Sequence, residues 1–464
     1  MDGPVPGRTP RRAPEVKLAG DRPARRAADR LTTSPRVGAG DAARRARRWR
    51  TLGTALAVLG AAAVLVATLT PRSDVGGLAA ATPLLCLVCG DNGGADVAAN
   101  LLLFLPLALG LRLSGQSWGR TVLLCGLLSF TVELLQLLVV PGRDASLSDV
   151  LTNTTSAAIG ATLADHLPRM VAPRPRAAAA FLAGGIVLLL LLLAASAWLL
   201  TPWVPDGPLT SHWAGYDAFT GRVEAVHLDG APMPSDGVPA DSAALRRRLA
   251  AGSFALEAEV VSGRPVADHS WIYVLRVPAG GALSLSLLRR EARIELTTRA
   301  LRFRLWPAAV TLPAGLPERA DVPVRLTASG HDRRIRLTSA YGGRERSVEL
   351  AISPAYGWIL VLPFEVATGT GIRWITAVGL AAAWLPLGFW ARRTSRPGAA
   401  LAALAVALVL ALAVIPAGGG FPPVHWSEWM AGLLGAAGGW ALRRPAAYLE
   451  ERCASPSDIE FSSS

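Results

Sequence analysis

Three consecutive apolar stretches of this chain each carry an acid and an amide at helical spacing: Asp96 with Asn100, Glu133 with Gln136, and Asp149 with Asn153. Residues three or four apart share a helix face, so each pair acts from one side of its helix. Between the second and third pairs lies "PGRDAS", where Pro141 and Gly142 make a tight turn and aim Arg143 back over two helix ends. An Arg fork can bridge two carboxylates or grip a phosphate through two parallel hydrogen bonds. Ser146 or Ser148 is placed to cap the third helix, and Asp149 falls in its first turn, where negative charge suits the helix dipole. Glu133 sits roughly 10 Å below the outer end of its helix, at a rise of about 1.5 Å per residue. An ionised carboxylate facing lipid at that depth costs several kcal/mol, so Glu133 must face other helices, pair with a cation or stay protonated.

Two readings of these residues compete. In one, Asp96, Asn100, Glu133, Gln136, Arg143, Ser146, Asp149 and Asn153 line a single polar pocket open to the outside, with Glu133, Arg143 and Asp149 at its core. In the other, the same groups satisfy one another as interhelical hydrogen bonds. Ionisable groups inside a membrane mark functional sites by default, which favours the pocket. The pattern fits binding, transport or acid–base chemistry alike. Serine-hydrolase, zinc-protease and phosphate-loop motifs are absent, and the six His are scattered, so no metal or cofactor is expected.

The elements that must position these residues are membrane helices. The chain is 51% hydrophobic and 17% charged, too apolar for a soluble protein of 464 residues. A bilayer span needs about 20 apolar residues. About eight runs qualify, near 51–70, 95–112, 121–140, 150–166, 177–200, 371–390, 398–416 and 428–442; the second, fourth and eighth are short or carry polar residues. The formal charge of +13 is concentrated in residues 1–50, which hold thirteen Arg and one Lys against five acidic residues. Such a Pro- and Ala-rich basic tail is expected to be disordered. Directly before a span, it reads as a topology signal touching anionic lipid; nucleic acid is not an expected partner.

Arg112, Arg120, Arg169, Arg174, Arg176, Arg392, Arg393 and Arg396 fall in alternate loops. The positive-inside rule then puts both termini in the cytoplasm and residues 201–370 outside. Alternating runs such as 253–261, 271–277, 323–329, 333–341 and 347–353 read as strands of a β-sandwich. The expected organisation is a tail at 1–50, a helical domain at 51–166, a loop and fifth span at 167–200 and a connector at 201–249. A β-sandwich at 250–366, three helices at 367–442 and a tail at 443–464 complete it. The class is thus an α-helical polytopic membrane protein with an inserted all-β domain. Cys86 and Cys89, in the first outside loop, suit a disulfide first, then a redox pair, then a metal; Cys125 reads as packing.

The ordered set Asp96, Asn100, Phe104, Pro106, Glu133-Leu-Leu-Gln136, Gly142-Arg143, Ser146, Asp149, Asn153-Thr154 and Gly160 resembles the VanZ-like family over about residues 50–166. Ala108 and Ser156 stand where glycines are frequent in that family; both are small enough to keep helices close. The resemblance implies a small multi-helix membrane protein of the cell envelope, linked to glycopeptide (teicoplanin) resistance. Its partners would be membrane lipids and an envelope glycan, lipid-linked precursor or glycopeptide at the outer leaflet. The alternatives are an enzyme acting on a lipid-linked envelope substrate, or an anchor that displays the β domain. The β domain is similar in strand rhythm to concanavalin-like or laminin-G-like jelly rolls, which implies binding of glycan or protein. Finally, 425–442 aligns with 147–164, setting Glu428 on Asp149; that echo would bring Glu428 to the rim of the polar pocket.

Overall fold

The structure is a computed structural model that describes residue 3 and residues 36–70, 92–140, 146–214, 219–278, 280–362 and 370–442. Arg143, Cys86, Cys89 and Cys453 lie outside the described residues, and so does the C-terminal tail beyond Leu442. Among the described residues, six helices are long and apolar enough to cross a membrane. They lie within α1 (Arg36–Leu69), the broken pair α2 (Gly93–Leu103) and α3 (Leu105–Leu113), α4 (Trp118–Leu138), α6 (Pro175–Leu199), α8 (Thr370–Arg393), and α9 (Pro397–Val409) with its continuation to Gly418. Two expected spans do not meet that measure: α5 (Leu147–Val171) carries too many polar residues, and α10 (Trp426–Ala441) has 16 residues. The expected count of about eight is therefore six by length and composition. Helix α1 also starts at Arg36, inside the segment read as a disordered tail.

Small residues set the helix pairings. Gly53 and Gly60 of α1 lie against Leu113–Ser114 and Leu107, and Gly110 of α3 lies against Ala57, so α1 and α3 run antiparallel at backbone contact. Without a hydrophobic force between helices in lipid, such close van der Waals contact holds them together. Gly435 and Gly439 of α10 meet the Ala381 and Leu385 carbonyls of α8 in the same way, and Gly388 answers from α8 against Ala436. Pro106 removes one backbone donor, and the chain breaks between α2 and α3 at Phe104. Ser156 of α5 donates to the Leu101 carbonyl beside that break at 2.6 Å.

The β-sandwich starts earlier than expected. Strands β1 (Thr210–Trp213), β2 (Arg222–Leu228), β3 (Ala231–Pro232) and β4 (Asp236–Gly237) occupy the segment read as a connector, followed by the short basic helix α7 (Ser242–Ala250). The later strands are β5 (Phe254–Val261), β6 (Val266–Val277), β7 (Gly280–Arg289), β8 (Glu291–Leu296), β9 (Ala308–Leu312), β10 (Pro323–His331), β11 (Arg334–Tyr341) and β12 (Arg344–Ala351). Two antiparallel six-stranded sheets result, ordered β4-β1-β6-β7-β8-β9 and β12-β11-β10-β5-β2-β3. Along β5 the even positions Phe254, Leu256, Ala258 and Val260 are buried, and β10 answers with Val324, Leu326 and Ala328. That period of two puts one face of each sheet into the core.

The sandwich is bolted to the helices. Its core continues into Leu200, Leu360, Ile372 and Phe421 at the helix ends. The amides of Gly94 and Ala95, opening α2, donate to the Arg304 carbonyl at 3.1 and 3.2 Å. A side chain at Gly94 would strike the Phe303 carbonyl. This accounts for Gly94: bare backbone is needed where the first helix turn receives a carbonyl from the sandwich.

Candidate functional site

Helices α4 and α5 form an antiparallel pair along their full length. Contacts join Glu133 to Ser146, Ser129 to Asp149 and Asn153, Gly126 to Thr154, and Trp118 to Thr162. The buried face of α4 holds Thr121, Cys125, Ser129, Val132, Glu133 and Gln136, while Leu123, Leu127, Phe130 and Leu137 face outward. Helix α5 likewise buries Ser148, Asn153 and Ser156 with alanines and glycine. Polar groups turn inward because lipid, unlike water, gives them no hydrogen bonds.

Glu133 is 7% exposed, and its carboxylate accepts the Ser146 amide at 2.6 Å. It thereby takes the cap of α5 that sequence reading assigned to a serine; Ser146 is the N-cap residue but its own hydroxyl makes no capping bond. A negative charge there also meets the positive end of the α5 dipole, with Asp149 in the same first turn. Gln136 donates from Nε2 to the Thr68 carbonyl at 2.9 Å, tying α4 to the end of α1. Asn153 donates from Nδ2 to Ser129 Oγ at 2.9 Å. In both amides the nitrogen is engaged and the oxygen is not: Gln136 Oε1 and Asn153 Oδ1 are buried and lack a hydrogen-bond partner among the described residues. A buried acceptor left so costs about 1–3 kcal/mol.

Asp96 and Asn100 are half-buried on α2. Contacts of Ser156 with Leu101 and of Gly160 with Leu105 set α2 parallel to α5, which brings Asp96 and Asn100 level with its first turns. Seven of the eight expected residues thus share one end of the helical group, the end that carries the sandwich; Arg143 lies outside the described residues. Ser129 is the member that sequence reading missed. Its signal was present, since 129, 133 and 136 repeat at the spacing of one helix face. Cys125 is buried and free, as its place in a span implied. No cluster of potential metal ligands exists among the described residues.

Residues 50–167 match the family model described as VanZ/LLP1. This segment is similar to the VanZ/LLP1 family. Its limits coincide with the apolar part of α1 at one end and the last turn of α5, before Pro168, at the other. The VanZ/LLP1 segment therefore contains every described residue of the polar set and neither the sandwich nor the C-terminal helices. No curated protein and no solved structure matches the chain. The internal echo does not extend the VanZ/LLP1 site: α10 packs chiefly on α8, and Glu428 opens into a different cleft, bonded to Ser353 of the sandwich connection.

Proposed function

We propose that the protein is a multi-pass component of the cell envelope whose VanZ/LLP1 segment recognises a polar, glycan- or phosphate-bearing ligand at the outer leaflet. The observation that carries this reading is the pair of unpaired buried amide oxygens, Gln136 Oε1 and Asn153 Oδ1, on the polar face that α4 and α5 share with Glu133. Acceptors spread along one buried face suit a ligand rich in hydroxyl or N–H donors, as a sugar is. Arg143, in the connection between α4 and α5, supplies the cation for a phosphate. The link to glycopeptide (teicoplanin) resistance follows from the family alone.

The orientation has both termini in the cytoplasm and the sandwich outside. Two features support it. Helix α5 accompanies α4 from end to end, so it returns the chain across whatever depth α4 crosses. Arg112 pairs with Asp165 at 2.8 Å, and Trp390 bonds the Met170 carbonyl at 2.9 Å, which gathers the Arg-bearing loops at the end opposite the sandwich. Positive loops stay inside. Glu345→Cys on β12 should react with a membrane-impermeant maleimide in intact cells, and Ser395→Cys between α8 and α9 only after lysis; the reverse pattern would invert the orientation.

Ligand recognition is tested by mass spectrometry of lipids and glycans that co-purify with the wild type and with Glu133→Ala and Arg143→Ala. A species held by the wild type and lost from both variants is expected. Identical profiles with unchanged antibiotic susceptibility would end the reading.

A further inference from the structure

A polar cleft lies where the sandwich meets the C-terminal helices, away from the VanZ/LLP1 segment. Arg334 and Glu349 on the strand edge, Tyr356, Arg373 in the first turn of α8, and Trp426 and Glu428 in the first turn of α10 line a volume of about 380 Å³. Small-molecule sites begin at about 300 Å³.

Its chemistry is that of a split charge. Glu428 is 3% exposed and accepts from Ser353 Oγ at 2.9 Å. Among the described residues, no basic side chain forms an ion pair with it. Held by one hydroxyl and the His425 backbone amide, with no basic partner among the described residues, this buried carboxylate attracts a cation with N–H donors. Tyr356 is also buried and shares a hydrogen bond with the Arg373 side chain. Burial first, then the Glu428 charge, push its phenol up to about 12 against the opposing pull of Arg373, so it stays neutral. A guanidinium therefore stands across one phenol from the carboxylate, and Arg334 lies further along the strand edge with Glu349 at 3.9 Å.

The mouth of the cleft has the character of a membrane interface. Trp426, which lines the cleft, is 68% exposed at the start of α10. Below it Met430 and Leu433, spaced on one face of α10 with Trp426, form an outward-facing apolar strip. Tryptophans at helix ends above such a strip mark the headgroup level. A ligand here carries ammonium and anion in its polar part and keeps its apolar part in the bilayer.

We infer that this cleft holds the headgroup of an aminophospholipid, with the primary ammonium on Glu428 and the phosphate on Arg373. The ammonium must donate hydrogen bonds, so a trimethylated headgroup does not substitute, and a headgroup without an amine leaves Glu428 uncompensated.

The test is native mass spectrometry of the full-length protein in detergent, with phosphatidylethanolamine, phosphatidylcholine and phosphatidylglycerol of equal chain length. Phosphatidylethanolamine should be retained at least tenfold over the other two. Glu428→Gln, which keeps the bond to Ser353, should lower its retention by roughly tenfold or more, the scale of losing one partner of a buried charge pair. Arg373→Gln serves as a second variant and should weaken phosphatidylethanolamine and phosphatidylglycerol together. Soluble glycerophosphoethanolamine should not compete at equal concentration; if it does, the bilayer is not the source. Equal retention of the three lipids by the wild type, or undiminished selectivity in a folded Glu428→Gln protein, would overturn the inference. Neither outcome bears on the VanZ/LLP1 site, which shares no residue with this cleft.

Discussion

The helices and the sandwich are built from one chain with opposite rules. In the sandwich, Leu256, Leu326 and Leu337 are buried, while Arg325, Arg336 and Glu349 are exposed. In α4, Leu127, Phe130 and Leu137 are exposed, while Ser129, Glu133 and Gln136 are buried. Water selects the first arrangement by the hydrophobic effect. Lipid selects the second, since it welcomes apolar side chains and leaves polar ones to find each other. The contrast also tells where function can hide. In the sandwich, polar side chains are everywhere on the surface and single out nothing. In the helices each buried polar group has a cost, so each one asks for a partner.

The largest effect that would sharpen this contrast comes from placing a charge on each apolar surface. Leu337→Arg puts an unpaired cation into the sandwich core and should cost roughly 3–5 kcal/mol, read as loss of the cooperative melting transition. Leu127→Arg, at a position 54% exposed, would be harmless on a soluble helix. In lipid it should cost about 2.5–3.5 kcal/mol of insertion, read as reduced membrane yield. Normal yield would break the contrast. Next in size, Glu133→Ala removes the acceptor for the Ser146 amide and should lower the stability of the detergent-solubilised protein by about 1–3 kcal/mol, with Glu133→Gln losing less. The smallest effect belongs to the water-facing side. Arg325 reaches both Glu257 and Glu259, but all three are largely exposed, so Arg325→Ala should change stability by under about 1 kcal/mol, and less at high salt.

Much of this was legible in the residues. Long apolar runs gave the helices, and the spacing of Asp96/Asn100, Glu133/Gln136 and Asp149/Asn153 gave the polar face. What escaped depended on distant partners. Strands β3 and β4 are two residues each, and β1 pairs with β6 some sixty residues on, so in the Pro- and Gly-rich 205–250 only β2 is long enough to show a strand period. The cap of α5 was misassigned because the capping group comes from the neighbouring helix. The Glu428 cleft was invisible because Ser353 and Glu428 are brought together only by docking of the sandwich on α10. Spacing reports what one element places on one face; it is silent on what the next element brings to it.

The central claim is the proposal that the polar face of α4 and α5 serves a ligand in addition to joining the helices. Asn153→Leu separates the two most directly. It removes the unpaired oxygen together with the Nδ2 bond to Ser129, so the folded protein should lose no more than about one hydrogen bond's worth of stability, roughly 0.5–1.5 kcal/mol. The same protein should lose the envelope species that co-purifies with the wild type. A variant that melts markedly lower yet keeps that species would show that Asn153 serves packing alone, and would contradict the claim.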